Sequence, residues 1–208
     1  ASSYLREVGL RNATVVIEQP GGVTAWRVPE VAIDLEHKQK RSIISGKATI
    51  VSGRAPWSLV FRTEESEKSQ TIVVNAAIRD LVPRTLARAM PQLGLLDGFD
   101  LPVGGNATFE LSRAGDVLSG ALAFELSRGR IQLPWLADVT FPVDAGLVDL
   151  RYHRDRGRIE VAPSTVRWGQ SRITVVGNLS SQRAAGGEGW TFDLRAIDGA
   201  VAAEEFGV

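Results

Sequence analysis

The sequence predicts a mainly β protein, an antiparallel β-meander forming a curved, groove-like or taco-like sheet with one short α-helix. Apolar and polar residues alternate along short segments through most of the chain, and turns rich in glycine, proline and aspartate separate them. Successive segments are predicted to form hairpins, so neighbours along the chain should pair antiparallel. Only one segment, at about 81–93, has the period of a helix.

The clearest alternation lies in residues 104–134, which contain the pentapeptide Phe-Glu-Leu-Ser-Arg twice. The two copies begin at Phe109 and Phe124, and each leads into a turn that contains glycine. Alternation with period 2 predicts two strands, each with one dry face. Short echoes elsewhere indicate a hairpin unit used several times, with sub-repeats expected at 12–78 and 104–197.

Two turns predict a register for this region. A turn at 114–117 places Phe109 opposite Leu122, and a turn at 128–129 adds a third neighbouring strand. Both turns put the apolar residues on one face, and a slip by one residue would break that agreement. The bulky members of this predicted face are Phe109, Leu111, Leu122, Phe124, Leu126, Ile131 and Leu133.

The helix at 81–93 is expected to begin at Asp80 as its N-cap, with Pro83 in the first turn. Its apolar residues recur at spacings of three and four, and they are Val82, Leu86, Met90 and Leu93. Since the polar side carries only two charges, the apolar stripe is expected to pack on the sheet rather than on a membrane surface. The whole chain, 1–208, is predicted to form a single domain.

Composition argues against several functions. The chain has 24 basic and 24 acidic residues, a net charge of zero, so nucleic acid is not an expected partner. It has no cysteine, and its two histidines, His37 and His153, fall in predicted turns far apart. No nucleotide-binding or nucleophile motif is present. We therefore expect no enzymatic activity, no catalytic residues, no metal site and no cofactor.

From Asn12 onward the chain resembles the AsmA-like family of bacterial envelope proteins, particularly its YhdP- and TamB-related members. The most specific likeness is a helix leading into the Asp-Leu-Pro loop that begins at Asp100, followed by two strands around a glycine turn. The segments that carry the resemblance are NATVVIEQPGG, SGKATIVSGRAPWSLVFR, DLVPRTLARAMPQLGLLDGFDLPVGG, NATFELSRAGDVLSGALAFELSRGRIQLP and LVDLRYHRDRGRIEV.

The resemblance implies a periplasmic segment of a longer protein that is anchored in the inner membrane outside this fragment. Such proteins form β-sheet troughs with a hydrophobic interior, like the bridge-like lipid-transfer proteins. The implied role is phospholipid transport between inner and outer membranes and envelope integrity, with neighbouring repeats of the same chain as partners. The seven-residue face would then contact phospholipid acyl chains.

One alternative stays open at this stage. A long meander with one apolar face must cover that face, because monomers rarely leave more than ~600 Å² of contiguous apolar surface in water. The sheet must therefore fold on itself, meet another chain segment or hold an apolar ligand, and in the first two cases its interior is packed without lipid. The chain would then be a structural or assembly scaffold for outer-membrane proteins that pairs its sheet edges with partners and binds no lipid.

Overall fold

The structure, a computed structural model, describes residues 6–19, 22–38, 41–66, 70–132, 139–184 and 187–202. Within these ranges it has fourteen strands and one α-helix. They are β1 (Glu7–Gln19), β2 (Gly22–Lys38), β3 (Arg41–Val51), β4 (Trp57–Ser66), β5 (Thr71–Leu81), α1 (Pro83–Ala89), β6 (Phe99–Asp100), β7 (Val103–Ser112), β8 (Val117–Leu126), β9 (Gly129–Gln132), β10 (Thr140–Val143), β11 (Ala145–His153), β12 (Arg158–Trp168), β13 (Ser171–Ala184) and β14 (Gly187–Ala200).

Eleven strands form one open antiparallel sheet in the order β1-β2-β3-β4-β5-β7-β8-β11-β12-β13-β14. This order follows the chain, so the predicted antiparallel meander with one short helix is confirmed. Strands of both expected sub-repeats, 12–78 and 104–197, lie side by side in this sheet. The two edge strands of this sheet are β1 and β14, which pair on one side only among the described residues.

A second, small sheet has the order β10-β9-β6. It is built from two insertions in the meander, one between β5 and β7 and the other between β8 and β11. The prediction that β9 would be the third strand beside β7 and β8 is therefore wrong. The neighbour of β8 on that side is β11, with Val148 opposite Phe124, while Ile131 of β9 lies opposite Phe141 and Phe99.

The predicted register between β7 and β8 is wrong by two residues. Phe109 lies opposite Gly120 and Ala107 opposite Leu122, with a bulge between Glu110 and Leu111. The turn itself is held by Ser112, whose backbone N–H donates to the carbonyl of Asp116 at 2.8 Å. A slip of two keeps each side chain on its face, so the predicted faces of β7 and β8 hold although their residue pairs do not.

The helix is shorter than the predicted 81–93. α1 spans Pro83–Ala89, and a separate 3-10 segment, Pro91–Gly98, follows it. Asp80 is not the N-cap: it lies at the end of β5 with a positive φ of 61°, and Val82 occupies the cap position without a side-chain hydrogen bond. Pro83 is the first helical residue as predicted, because its missing N–H costs nothing there.

Candidate functional site: an apolar sheet face

One transverse row of residues crosses the large sheet on a single face without a polar side chain. Each member lies opposite the next in the register of neighbouring strands, so the row runs perpendicular to the strands through all eleven. We call it the apolar row. It consists of Val8, Ile33, Gly46, Phe61, Ala76, Ala107, Leu122, Leu150, Val161, Gly177 and Leu194.

The next row along the strands belongs to the opposite face and has the opposite character. We call it the polar row, and ten of its eleven members are polar or charged. It consists of Glu7, Asp34, Ser45, Arg62, Asn75, Thr108, Ala121, Arg151, Glu160, Asn178 and Asp193. Alternation within each strand thus adds up to two neighbouring rows of very different polarity, one on each face of the sheet.

Phenylalanine rings lie over glycines at two places on the apolar face. A Cβ added to Gly46 would come 2.8 Å from Phe61 Cε1, and one added to Gly120 would come 2.8 Å from Phe109 Cδ1. Each ring therefore occupies the space that a side chain on the neighbouring strand would need. The rings cover the backbone of those strands, as in the aromatic rescue of glycines in sheets.

α1 covers one end of the apolar face. The buried cluster there contains Trp26, Trp57, Leu81 and Ala89 of α1, and the two indole rings meet edge to face with centroids 6.4 Å apart. Leu86 and Met90 also pack on this cluster, which confirms that part of the predicted helix stripe faces the sheet. Edge-to-face aromatic pairs add about 0.5–1.5 kcal/mol to the area they bury.

Hydrogen bonds fix the start of α1 to the sheet. Trp57 Nε1 donates to Ser52 Oγ at 2.9 Å, and Ser52 Oγ donates to Thr85 Oγ1 at 2.9 Å. Thr85 Oγ1 in turn donates to the carbonyl of Val82 at 2.7 Å. The polar atoms beside this apolar cluster are thereby satisfied, which removes the cost of burying them unpaired.

The small sheet covers the same end of the apolar face, but over β7, β8 and β12 instead of β2, β4 and β5. Leu101, Val103 and Val143 form its buried centre, with Leu101 only 1% exposed. The partly buried residues packed against it are Phe99, Phe124, Leu126, Ile131 and Val166. No member of the apolar row belongs to this cluster or to the one under α1. In the described residues the cover therefore lies on one end of the strands and leaves the row outside both clusters.

Charged side chains border the opposite ends of the strands. Arg113 pairs with Glu65 at 3.2 Å, and Arg154 pairs with Asp116 at 3.4 Å. All four lie at or just beyond strand ends, in or next to the turns that join β4 to β5, β7 to β8 and β11 to β12. The apolar face is thus bounded by packed cover on one side and by a charged rim on the other.

The structure places five of the seven predicted face residues together on the apolar face of β7 and β8. Of these, Phe109, Leu111 and Leu122 lie outside the two buried clusters, whereas Phe124 and Leu126 pack in the cluster under the small sheet. Ile131 packs in that cluster too, but from β9. Leu133 lies outside the described residues.

The predicted seven-residue face did not include the other members of the apolar row, such as Ile33, Phe61 and Leu194. Their strands alternate like β7 and β8, so the alternation could have placed each of them on an apolar face. It could not place them in one line, because the line depends on the registers of ten strand pairs. Six of these pairs contain a register shift, as between Val161 and Ser164.

The described part of the chain offers no stronger candidate for a functional site than the apolar row. No group of three or more histidine, aspartate or glutamate side chains there could hold a metal ion. Open clefts of about 420 Å³ and about 200 Å³ are lined mainly by polar groups, near Asp80 and near Arg84, and neither includes a member of the apolar row. Over these residues, no helix has the length and apolar character that crossing a bilayer requires.

Comparisons of the chain with protein-family models, with curated proteins and with solved structures gave no match. The fold and the apolar row alone define the class of protein, which is one with an open antiparallel sheet that has a long apolar row across one face.

Proposed function

We propose that this chain is a segment of a periplasmic β-groove protein whose apolar face holds phospholipid acyl chains during transport between inner and outer membranes. The observation that carries the proposal is the apolar row, which crosses eleven strands without a polar side chain. Neighbouring strands lie about 4.8 Å apart, so the row is about 48 Å long. That length is about three times the half-thickness of a bilayer's hydrocarbon core, which is about 15 Å.

The free energy of acyl-chain binding favours movement of the lipid along the face over tight binding at one place. Transfer of a methylene from water to an apolar surface is worth about 0.8 kcal/mol, whether the surface is a bilayer or a protein. The row offers an apolar residue or a glycine at every strand, so an acyl chain that moves along it meets no polar side chain. Acyl chains can then shift from strand to strand without a deep energy minimum.

The charged rim supports the same proposal. A phospholipid carries its charges at one end, and an acyl chain that crosses the apolar row parallel to the strands would place the headgroup at the uncovered border of the face. The ion pairs Arg113–Glu65 and Arg154–Asp116 lie there and are partly exposed. Such groups can exchange partners with a zwitterionic headgroup at little cost, since exposed ion pairs contribute only about 0–1 kcal/mol.

Transport across the envelope needs parts beyond this segment, and the resemblance to the AsmA-like family indicates which parts to expect. An anchor in the inner membrane and neighbouring repeats of the same chain would complete the apolar path between the membranes. This segment would contribute its row to that path and to the integrity of the envelope.

Native mass spectrometry of the purified chain tests the proposal. We expect phospholipid adducts, retained after exchange into a volatile buffer and regained when delipidated protein is mixed with phospholipid vesicles. The Leu122→Glu variant should lose most of the adducts, because a carboxylate interrupts the apolar row. Ala123→Glu is the matched control on the polar face of the same strand, where the side chain is exposed, and should keep them. Circular dichroism melts confirm that both variants fold.

A scaffold without lipid binding is the second candidate, and the two sheet edges favour it. In the part of the chain that the structure describes, β1 and β14 each pair on one side only, so either can accept another strand. If neither the purified nor the reloaded chain carries phospholipid while strands of partner proteins bind to an edge, the scaffold is the correct function.

A further inference from the structure

The two edges of the sheet differ in regularity. In β1 the ladder skips Asn12, which has a positive φ of 52°, and the facing strand β2 carries Pro29 at its own bulge. In β14, residues 187–196 pair with 175–184 of β13 without any register shift, and the one irregularity of this ladder, at Ile197, lies just beyond them. Bulges and prolines are devices that discourage edge pairing, and β14 lacks them over these ten residues. It is therefore the edge better suited to accept another strand.

Three consecutive residues of β14 form a self-complementary set. Leu194 lies on the apolar face and is 47% exposed, although it is the last member of the apolar row. Asp193 and Arg195 flank it on the polar face, and both are exposed. Nearby Asp198 pairs with Arg172 at 3.1 Å, whereas Asp193 and Arg195 have no ion-pair partner in the described part of the chain.

We infer that two copies of this chain associate through β14, antiparallel, about a two-fold axis that passes through the Leu194 pair perpendicular to the sheet. This axis keeps the apolar faces of both copies on the same side. In the register centred on Leu194, Asp193 of each copy lies opposite Arg195 of the other, giving two symmetric charge pairs. The next registers with matched faces centre on Asp193 or on Arg195 and put like charges opposite each other, which is destabilising.

The association also continues the apolar row. Leu194 of each copy ends its row, so pairing at this residue joins the two rows into one line across twenty-two strands. Part of the exposed surface of Leu194 becomes covered by its counterpart. The inference rests on the edge geometry and charges alone and does not depend on lipid binding.

Sedimentation equilibrium of the delipidated chain tests the interface through charge reversal. Asp193→Arg gives a chain with two adjacent basic groups on the edge, and Arg195→Asp gives a chain with two acidic ones. Each variant alone should dimerise at least about tenfold more weakly than the original chain, corresponding to about 1.4 kcal/mol. An equimolar mixture of the two variants should recover dimers, because each edge then faces its charge complement.

A monomeric original chain at concentrations up to the solubility limit would overturn the inference. So would dimers that both single reversals leave unchanged, or a mixture no more associated than the separate variants. The matched control is Arg11→Asp on the other edge, β1, which should leave the dimer unchanged. Because all three substituted side chains are exposed, thermal unfolding should be nearly the same for each variant, which separates loss of pairing from loss of folding.

Discussion

The ring of Phe109 lies across Gly120 of the neighbouring strand, so close that a Cβ at Gly120 would stand 2.8 Å from Cδ1 of the ring. Phe61 has the same relation to Gly46 two strands from β7. In both places a large residue on one strand is accommodated by a missing side chain on the next. The packing of the apolar face therefore depends on pairs across strands and not on single residues.

Replacing the glycine of this pair should destabilise the protein. In Gly120→Ala the new methyl group displaces the Phe109 ring, and we expect the free energy of unfolding to fall by about 1–3 kcal/mol, as for other overpacked sites. Gly104→Ala is the control, because its Cβ would meet only the carbonyl oxygen of Ile78 at 3.5 Å, an ordinary contact. Urea denaturation measures both.

Equal changes in the two alanine variants would show that the ring contact does not matter. A double variant sharpens the comparison: Phe109→Leu in the Gly120→Ala background should recover part of the loss, since the smaller side chain leaves room for the methyl group. Neighbouring residues that share a contact are expected to show such coupling.

The hydrogen bonds at the start of α1 should contribute to stability. Thr85→Val keeps the shape of the side chain but removes the acceptor for Ser52 Oγ and the donor to the Val82 carbonyl. We expect a loss of about 1–2 kcal/mol in the free energy of unfolding. Thr63→Val removes only an exposed 3.3 Å bond to the Ile44 carbonyl and should change it by less than about 0.5 kcal/mol. Similar losses in both variants would contradict this account of the helix start.

Leu101 should be among the most sensitive residues of the chain. It is 1% exposed at the centre of the cluster between the small sheet and the large one, so Leu101→Ala leaves a cavity and should cost about 2–5 kcal/mol. Leu147→Ala makes the same chemical change at a residue that is 59% exposed and should cost little. Thermal and urea unfolding measure the stability of both variants. If the two were equally stable, the cluster around Leu101 would not contribute to stability as its burial implies.

The sheet face of each residue could be predicted from the sequence, because alternation assigns successive residues to opposite faces whatever the register is. The register between neighbouring strands could not be predicted. Phe109 was predicted opposite Leu122 and lies opposite Gly120, a slip of two that leaves the hydrophobic pattern intact. Near the turn the slip is three residues, with Leu111 opposite Val117, and the bulge next to Leu111 reduces it to two. The sequence carries no separate signal for this bulge.

The small sheet was missed for a related reason. Gly129 was interpreted as a turn residue that returns the chain beside β8. In the structure a Cβ at Gly129 would collide with Leu101 and with the carbonyl oxygen of Asp100, so glycine is needed there for the close approach of β9 to the preceding loop. A glycine required for a tertiary contact and one required for a turn look alike in a sequence.

The claim that the apolar row faces acyl chains is tested most directly by site-specific photo-crosslinking. A photoreactive phenylalanine analogue is placed at Leu122, on the apolar face of β8, or at Ala123, on its polar face, and the chain is irradiated with phospholipid vesicles. We predict strong phospholipid adducts at position 122 and background labelling at 123. Equal labelling at both positions, or none at 122, would contradict the account.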